Sequence, residues 1–526
     1  MRVFGELNLF KLGKDFVYDN PKIRKILRPI IRMTSSTEFS AHRMIAAYSN
    51  GWIQDPNNDD YKNAIICLNR LQSNAATIKE SLGSGTFVQN LRYKDTITYL
   101  ERSGVSLEDL DKLSVIHVSG TKGKGTTCAL TETLLRSYEV KTGFFSSPHL
   151  ISVTERIRIN GIPISEKLFS SYFWKVWNCL NTHKQNDNDM PAYFKFLTIL
   201  CFHIFLGENI EVAILEVGIG GEFDSTNIVR NTRTVGITSL GLEHTNILGH
   251  TLEEIALQKA GIIKENSNVF TSVTQDVCLD VIQEKCMERS AHLTKVQKLD
   301  MINWNVEQIV KVNASLAIHL AYDWLKSNKF EKLNGISSYV LDGDLHKLLP
   351  TAQTIFESFQ FPGRFQYLKI KNLNIYLDGA HTEESINLCS KWFTKTTNNN
   401  GNEKVLVFNL TGDREAEKLL KCIVNNCDIS LVCFTPNTPF LNDKLNINNL
   451  TTQSEMEKLL KVQDIFKKCK TTVKSNSTLF SSILDSLNHI SGRCNNNGEI
   501  DVLITGSIHL IGATLLALEI FSKNKL

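Results

Sequence analysis

The stretch that most constrains the fold runs from Ser114 to Pro148. Val115-Ile116-His117-Val118 is apolar and β-branched. Ser119-Gly120-Thr121-Lys122-Gly123-Lys124-Gly125-Thr126-Thr127 is glycine-rich, and Cys128-Ala129-Leu130 opens a helix-forming run. That order predicts strand, loop and helix. Glycines in such a loop let backbone N–H groups curl around phosphate oxygens. Lys124 can reach the outer phosphates, a hydroxyl can hold Mg2+, and the helix N-terminus favours anions. The common phosphate-loop pattern places Ser or Thr directly after the lysine and an earlier glycine at the strand's close. Here Gly125 precedes Thr126, and the earlier position is Val118. A plain glycine-rich turn with a surface lysine is the alternative reading.

Further apolar runs surround this unit. Tyr61 to Leu82 has helical spacing (Ala64, Ile65, Leu68, Leu71, Ala75, Ile78). Phe144-Phe145-Ser146-Ser147-Pro148-His149 reads as a second strand ending in a polar turn. Asn181 to Asp189 reads as a polar surface insertion, and Met190-Pro191 opens a long apolar helix through Leu206. Glu211 to Glu216 is a buried parallel strand by its near-continuous apolar run. It leads into Gly218-Ile219-Gly220-Gly221, but the third glycine of a dinucleotide fingerprint falls on Phe223, which excludes that cofactor here. Val235 to Ser239 is a short strand followed by Glu243-His244. Thr251 with Glu254 makes a capping box for a helix to Ala260. Alternating strands and helices predict an α/β chain with a mostly parallel sheet, whose ligands gather beyond the carboxyl ends of the strands. The glycine loop, Ser147, Glu216 and His244 all fall at such ends.

Leu341 to Thr354 reads as a linker into a second α/β unit. That unit's expected strands are Ile375–Leu377, Val405–Phe408, Ile429–Val432 and Val502–Ile504. At 526 residues the chain exceeds one ordinary core. The expected division is 1–56, a basic extension; 57–354, an ATP-binding domain; and 355–526, a smaller domain. A formal charge of +3 without a basic, aromatic-studded stripe argues against nucleic acid. The 12 cysteines are scattered without a CxxC pair, as expected of reduced thiols. Val502 to Phe521 is long and apolar, but Ser507, His509, Glu519 and two glycines interrupt it, so no membrane segment is expected. Asn20 to Thr37 is basic, free of acids and closed by serine and threonine. That reads as a mitochondrial transit peptide or a basic arm, with Met33 or Met44 as internal starts for a cytoplasmic form.

Taken together, the motifs resemble the folylpolyglutamate synthases, the folate branch of the ATP-dependent Mur ligase superfamily. The resemblance runs from about Tyr61 to about Leu516. It includes Leu68 to Asn74, His117 to Thr126, Phe144 to Leu150, Glu155 to Gly161 and Met190 to Phe194. It continues through Glu216 to Gly221, Leu242 to Thr245, Lys259 to Ile262, Phe361-Pro362-Gly363-Arg364, Asp378-Gly379-Ala380-His381-Thr382, Thr411 to Arg414 and Thr505 to Leu510. Lys122 and Thr382 look like the eukaryotic branch.

The resemblance implies a Mur-ligase-like fold: a phosphate-loop ATPase domain plus a smaller C-terminal α/β, Rossmann-like domain. It implies ligation of L-glutamate to the γ-carboxylate of a reduced folate through an acyl phosphate, giving ADP and phosphate. Gly120, Thr121, Lys122, Gly123, Lys124, Gly125 and Thr126 would cradle the phosphates. Ser147, Glu216 and His244 would hold Mg2+, and a carbamylated Lys259 a second Mg2+, with a monovalent cation as a further ligand. Asn313 would lie near the nucleotide, Arg364 and Asp378 would reach the phosphates and ribose, and His381 would stand at the reaction centre. His149 and Arg156 are folate-contact candidates. The family's His-Gln pair before the asparagine is Ile309-Val310 here, and Glu222 replaces a basic residue. Dihydrofolate synthase or a bifunctional enzyme, and an ATP-binding homologue without catalysis, are the alternatives. A monomer is expected.

Overall fold

The computed structural model describes residues 59–72, 85–186, 189–299, 307–327, 345–398, 400–412, 414–441, 455–470, 476–493 and 498–523. The basic N-terminal stretch, Ala75 and Ile78 lie outside them.

Two sheets organise the chain. The first holds β1 (Val115–Ser119), β2 (Thr142–Phe145), β3 (Ile157–Ile159), β4 (Ile162–Pro163), β5 (Val212–Glu216), β6 (Thr232–Ile237), β7 (Asn268–Thr271) and β8 (His292–Lys295), in the order β4-β3-β2-β5-β1-β6-β7-β8. All its neighbours are parallel except the β2–β3 and β3–β4 pairs. The second holds β9 (Gln366–Ile370), β10 (Leu373–Asp378), β11 (Glu403–Phe408), β12 (Leu431–Phe434), β13 (Asn476–Leu479) and β14 (Ile500–Thr505), in the order β13-β12-β11-β14-β10-β9. Only β9 runs antiparallel to its neighbour.

Each sheet is covered on both faces, which is why its central strands are mostly apolar. One face of the first sheet packs on α1 (Asp59–Arg70) and on the long apolar helix, which runs from Tyr193 to Gly207. The other face carries α2 (Lys124–Ser137) and α3 (Gln308–Ser327). Phe145, Phe196 and Phe202 are fully buried; each such side chain contributes about 1.5–3 kcal/mol by leaving water. The capping box at Thr251 is present and starts α4 (Leu252–Ala260). The eleven described cysteines are free thiols. Among the described residues no helix is long and apolar enough to cross a membrane.

Three expectations are corrected. From Leu345 the supposed linker is helical: a short 3-10 turn leads into α5 (Leu349–Glu357), which buries Leu348, Ala352 and Phe356 on the face that carries α2. Pro350 lies in the first turn of α5, where its missing N–H breaks no helical hydrogen bond. The strand expected at Ile429–Val432 is Leu431–Phe434. β3, β4, β7, β8, β9 and β13, four of them at the edges, were not expected at all.

The two units touch through Leu150, just after the Ser147 turn. It packs in the second sheet's core beside Ile508 and Ile511. A Cβ on Gly512 would stand 2.0 Å from Leu150 O, so the approach of the two backbones requires glycine.

Candidate active site

β1 delivers the chain to Gly120, whose φ is 143°; a Cβ there would lie 1.8 Å from Thr238 Oγ1. The N–H groups of Thr121 and Lys122 both donate to Ser239 O, at 2.9 and 3.3 Å, which pins the loop to the end of β6. Gly123 (φ 90°) is the N-cap of α2, and no side chain caps that helix. The first-turn N–H groups of α2, on Lys124, Gly125 and Thr126, therefore have no helical acceptor and face the loop's concavity. Lys124 Nζ donates to Gly120 O at 3.0 Å, so its charge lies over the same loop.

Glu216 ends β5 beneath this helix terminus. Gly125 makes room for it: a Cβ there would stand 3.3 Å from both carboxylate oxygens. The Ser147 N–H donates to Glu216 Oε2 at 3.1 Å. Burial pushes the Glu216 carboxyl up, opposed by Lys124, the Ser147 N–H and Arg364. His244 occupies left-handed backbone (φ 53°). Its imidazole is held below the usual range chiefly by burial, with Glu243 opposing and the charges of Lys124, Lys259 and Lys122 reinforcing. Lys124 thus acts on both Glu216 and His244.

Lys259, near the end of α4, is buried. Its Nζ donates to Gly120 O at 2.7 Å, and its own carbonyl accepts from Ser119 Oγ at 2.9 Å. Burial and then the Lys124 charge bring its amine from the usual 10.5 to about 7. Asn313 reaches the loop from α3. Its buried Oδ1 has no hydrogen-bond partner and would stand 2.4 Å from a Cβ on Gly123.

The second unit closes the site. Glu243 Oε1 lies 3.2 Å from Lys122 Nζ and 3.6 Å from His381 Nε2. Burial alone would raise the Glu243 carboxyl, but His381 and Lys122 hold it well below the carboxylate range. His381 Nδ1 meets Gly379 O at 2.8 Å; a carbonyl only accepts, so Nδ1 carries the proton. Arg364 Nη1 donates to Gly363 O at 3.2 Å, and the guanidinium charge acts on both Glu216 and Lys122. Asp378 is engaged in its own turn: it accepts the Phe365 and Ala380 N–H groups, each at 2.9 Å. Thr126 is half-buried on the first turn of α2.

The structure thus gathers Lys122, Lys124, Ser147, Glu216, His244 and Lys259 at one end of the first sheet, with Arg364 and His381 facing them. Two further side chains were quoted only within motifs and given no role by the sequence. Arg414 follows β11, and His509 begins the helix after β14. The His509 imidazole, held low by burial, feels the charges of Arg156, Arg414 and His381. The strand-end rule, extended from the first sheet to the second, would have found both. Arg156 Nε donates to His149 Nδ1 at 2.9 Å, and its guanidinium lies 5.6 Å from the Tyr193 ring centroid.

Residues 363–517 match the family model described as dihydrofolate synthetase, C-terminal domain. Among curated proteins, the chain is 39% identical over 429 residues to the mitochondrial folylpolyglutamate synthase of Bos taurus, covering 77% of this chain and 72% of that protein. It is 33% identical over 569 residues to that of Cricetulus griseus (92% and 96%). It is 35% identical over 489 residues to the folylpolyglutamate synthase of Saccharomyces cerevisiae (87% of each). Among solved structures, E. coli FolC in complex with DHPP and ADP superposes with a TM-score of 0.62 at 22% identity, covering 81% of this chain and 93% of that one. The Yersinia pestis bifunctional folylpolyglutamate synthase/dihydrofolate synthase with AMPPNP and Mn ion superposes with a TM-score of 0.60 at 21% identity, with the same coverage. At these identities the two structures speak to the fold alone.

Proposed function

The chain belongs to the folylpolyglutamate synthase family, and from that premise we propose how its residues divide the work. The enzyme is an ATP-dependent ligase that joins L-glutamate to the γ-carboxylate of tetrahydrofolate and its polyglutamates. It uses ATP and a divalent metal ion.

A carboxylate is a poor acyl donor because its leaving oxygen is poor. One γ-carboxylate oxygen attacks the γ-phosphorus of ATP, ADP leaves, and an acyl phosphate forms. The glutamate amine then attacks the carbonyl carbon, and phosphate departs with that oxygen. Two anions meet in the first step, so the site must supply positive charge in place before the reaction. In our reading Lys124 and the N–H groups opening α2 hold the β- and γ-phosphates, Arg364 approaches from the second domain, and Asn313 Oδ1 accepts from the nucleotide. His381, whose Nδ1 donates to Gly379 O, takes the proton of the attacking amine on Nε2, and Glu243 at 3.6 Å stabilises the imidazolium that results. Arg156, Arg414 and His509 hold carboxylates of the two substrates.

The metal reading rests on the donor set. Among the described residues no three His, Cys, Asp or Glu side chains cluster as metal ligands. Ser147, Glu216 and His244 offer a hydroxyl, one carboxylate and an imidazole. The hydroxyl and the carboxylate suit Mg2+, which keeps waters and binds through one or two carboxylates plus substrate phosphates, and the imidazole is the softest donor of the three. Held by these residues, such an ion would supply positive charge to the phosphate oxygens. Lys259 fits carbamylation: an amine at about 7 is substantially neutral at physiological pH. The neutral amine can form an N–C bond to carbon dioxide and lose one proton, which leaves a carbamate anion beside Lys124.

The observation that carries this reading is the Ser147–Glu216 hydrogen bond beneath the uncapped start of α2, with Lys124 beside it. The test is glutamate incorporation with Mg·ATP, offered tetrahydrofolate or dihydropteroate. We expect extension of tetrahydrofolate; product from dihydropteroate alone would make the chain a dihydrofolate synthase. We further propose residues 57–354 and 355–526 as the two catalytic domains, a monomer, and mitochondrial targeting by the basic N-terminal stretch with a cytoplasmic form from Met33 or Met44.

A further inference from the structure

An open cavity of about 710 Å³ lies at the amino ends of β6 and β7, away from the strand tips that carry the nucleotide loop. From Thr232 to Ile237 the chain advances along β6 by roughly 16 Å. The volume is that of a small-molecule site. Five cationic side chains line it against the carboxylates of Glu222 and Glu265. Two of the five are already paired: Arg230 with Glu108 and Asp111, and Lys285 with Glu288. Arg289 meets Glu265 at 3.1 Å through Nη1 only.

Lys264 and Arg289 form the unusual pair. The Lys264 ammonium donates to Asn227 O at 3.0 Å and has no ion-pair partner among the described residues. Burial, and then the Arg289 charge, lower its amine to about 8. The Arg289 Nε–H is buried and unpartnered, as are Asn227 Oδ1 and Thr232 Oγ1. Asn227 and Thr232 are 4% and 2% exposed. Asn227 cannot relieve its oxygen by flipping, because its amide nitrogen already donates to Glu222 O and Gly261 O at 2.9 and 3.1 Å. Buried polar groups are nearly always paired; these three lie in the cavity's wall, closed to water as the side chains stand, and a ligand engages them when the wall gives way. They ask for an oxyanion to accept from Arg289 and Lys264, carried on a molecule with a hydroxyl or amine that donates to Asn227.

We propose that this cavity is a second ligand site, separate from the nucleotide site, for a small organic oxyanion: a phosphate ester or a carboxylate that also bears a hydrogen-bond donor. Asn227 joins the site to the active centre, since the Gly261 carbonyl it holds lies two residues beyond Lys259.

The test is equilibrium dialysis of the full chain, with the nucleotide site filled by Mg·AMPPCP, against labelled inorganic phosphate in one arm and labelled malate, which carries a hydroxyl, in the other. We expect one equivalent of anion per chain, the tighter arm telling whether the ligand is a phosphate or a carboxylate. Lys264→Met should weaken retention at least tenfold, whereas Arg230→Gln should change it less than twofold. Should Lys264→Met fail to fold, as judged by its thermal transition, Lys264→Gln and Arg289→Lys replace it, with the same tenfold loss expected. No retention of either anion by the wild-type chain, or equal retention by wild type and these variants, overturns the proposal.

Discussion

Glu243 stands 3.6 Å from His381, and the two side chains come from different domains. The same carboxylate oxygen is 3.2 Å from Lys122 on the nucleotide loop. One acid thus ties the phosphate loop to the histidine that we place at the reaction centre. Such a contact assembles the site only when the domains are closed.

Glu243→Gln should keep the shape and remove the charge that draws Lys122 and His381 together. We expect kcat to fall by roughly 100-fold, the cost of a small misplacement of reacting groups, with KM for ATP little changed. Steady-state kinetics with ATP and folate varied separately will check this split.

Lys124→Ala, Glu216→Ala and His244→Ala should each abolish ligation without unfolding the chain. Loss of one preorganised charge at such a centre costs about 100- to 1,000-fold. Thermal unfolding of each variant separates this from a stability effect. Wild-type activity in any of them removes that residue from the site.

Lys259→Ala should be inactive and partly recovered by acetate or formate, which return an anion to the place of the carbamate. Stability offers a second check in CO2-free buffer. The folded-state pKa is about 7 against 10.5 in the unfolded chain. Between these values the unfolded chain binds a proton that the folded chain does not, so stability rises with pH across that window. Denaturant titrations should show the rise in wild type and a flatter profile in Lys259→Met.

Gly120→Ala should displace the loop, because its Cβ would overlap Thr238 Oγ1 at 1.8 Å and φ is 143°. A loss of about 1–3 kcal/mol is expected from strain of this kind, together with weaker ATP binding. Calorimetric titration with AMPPCP measures the second effect.

The central strands and the loop were legible because each carries a local signal. β1 and β5 are mostly apolar runs, and the left-handed turns of the nucleotide loop fall on Gly120 and Gly123, whereas His244 gave no such signal. Edge and short strands were not legible: Asn476–Leu479 pairs on one side only and reads as polar loop, and Ile157–Ile159 and Asn268–Thr271 are too short to show a pattern. Leu345–Glu357 misled because Pro350 looks like a helix breaker, whereas it sits at the start of α5. Arg414 and His509 were passed over because they lie nearly a hundred residues apart, and only the β11–β14 pairing brings their loops together.

The central claim is that the site turns the folate γ-carboxylate into an acyl phosphate, and oxygen tracing tests it most directly. Tetrahydrofolate labelled with 18O in that carboxylate should deliver one labelled oxygen to inorganic phosphate for each glutamate added, and none to ADP. Unlabelled phosphate alongside glutamate addition would contradict the account.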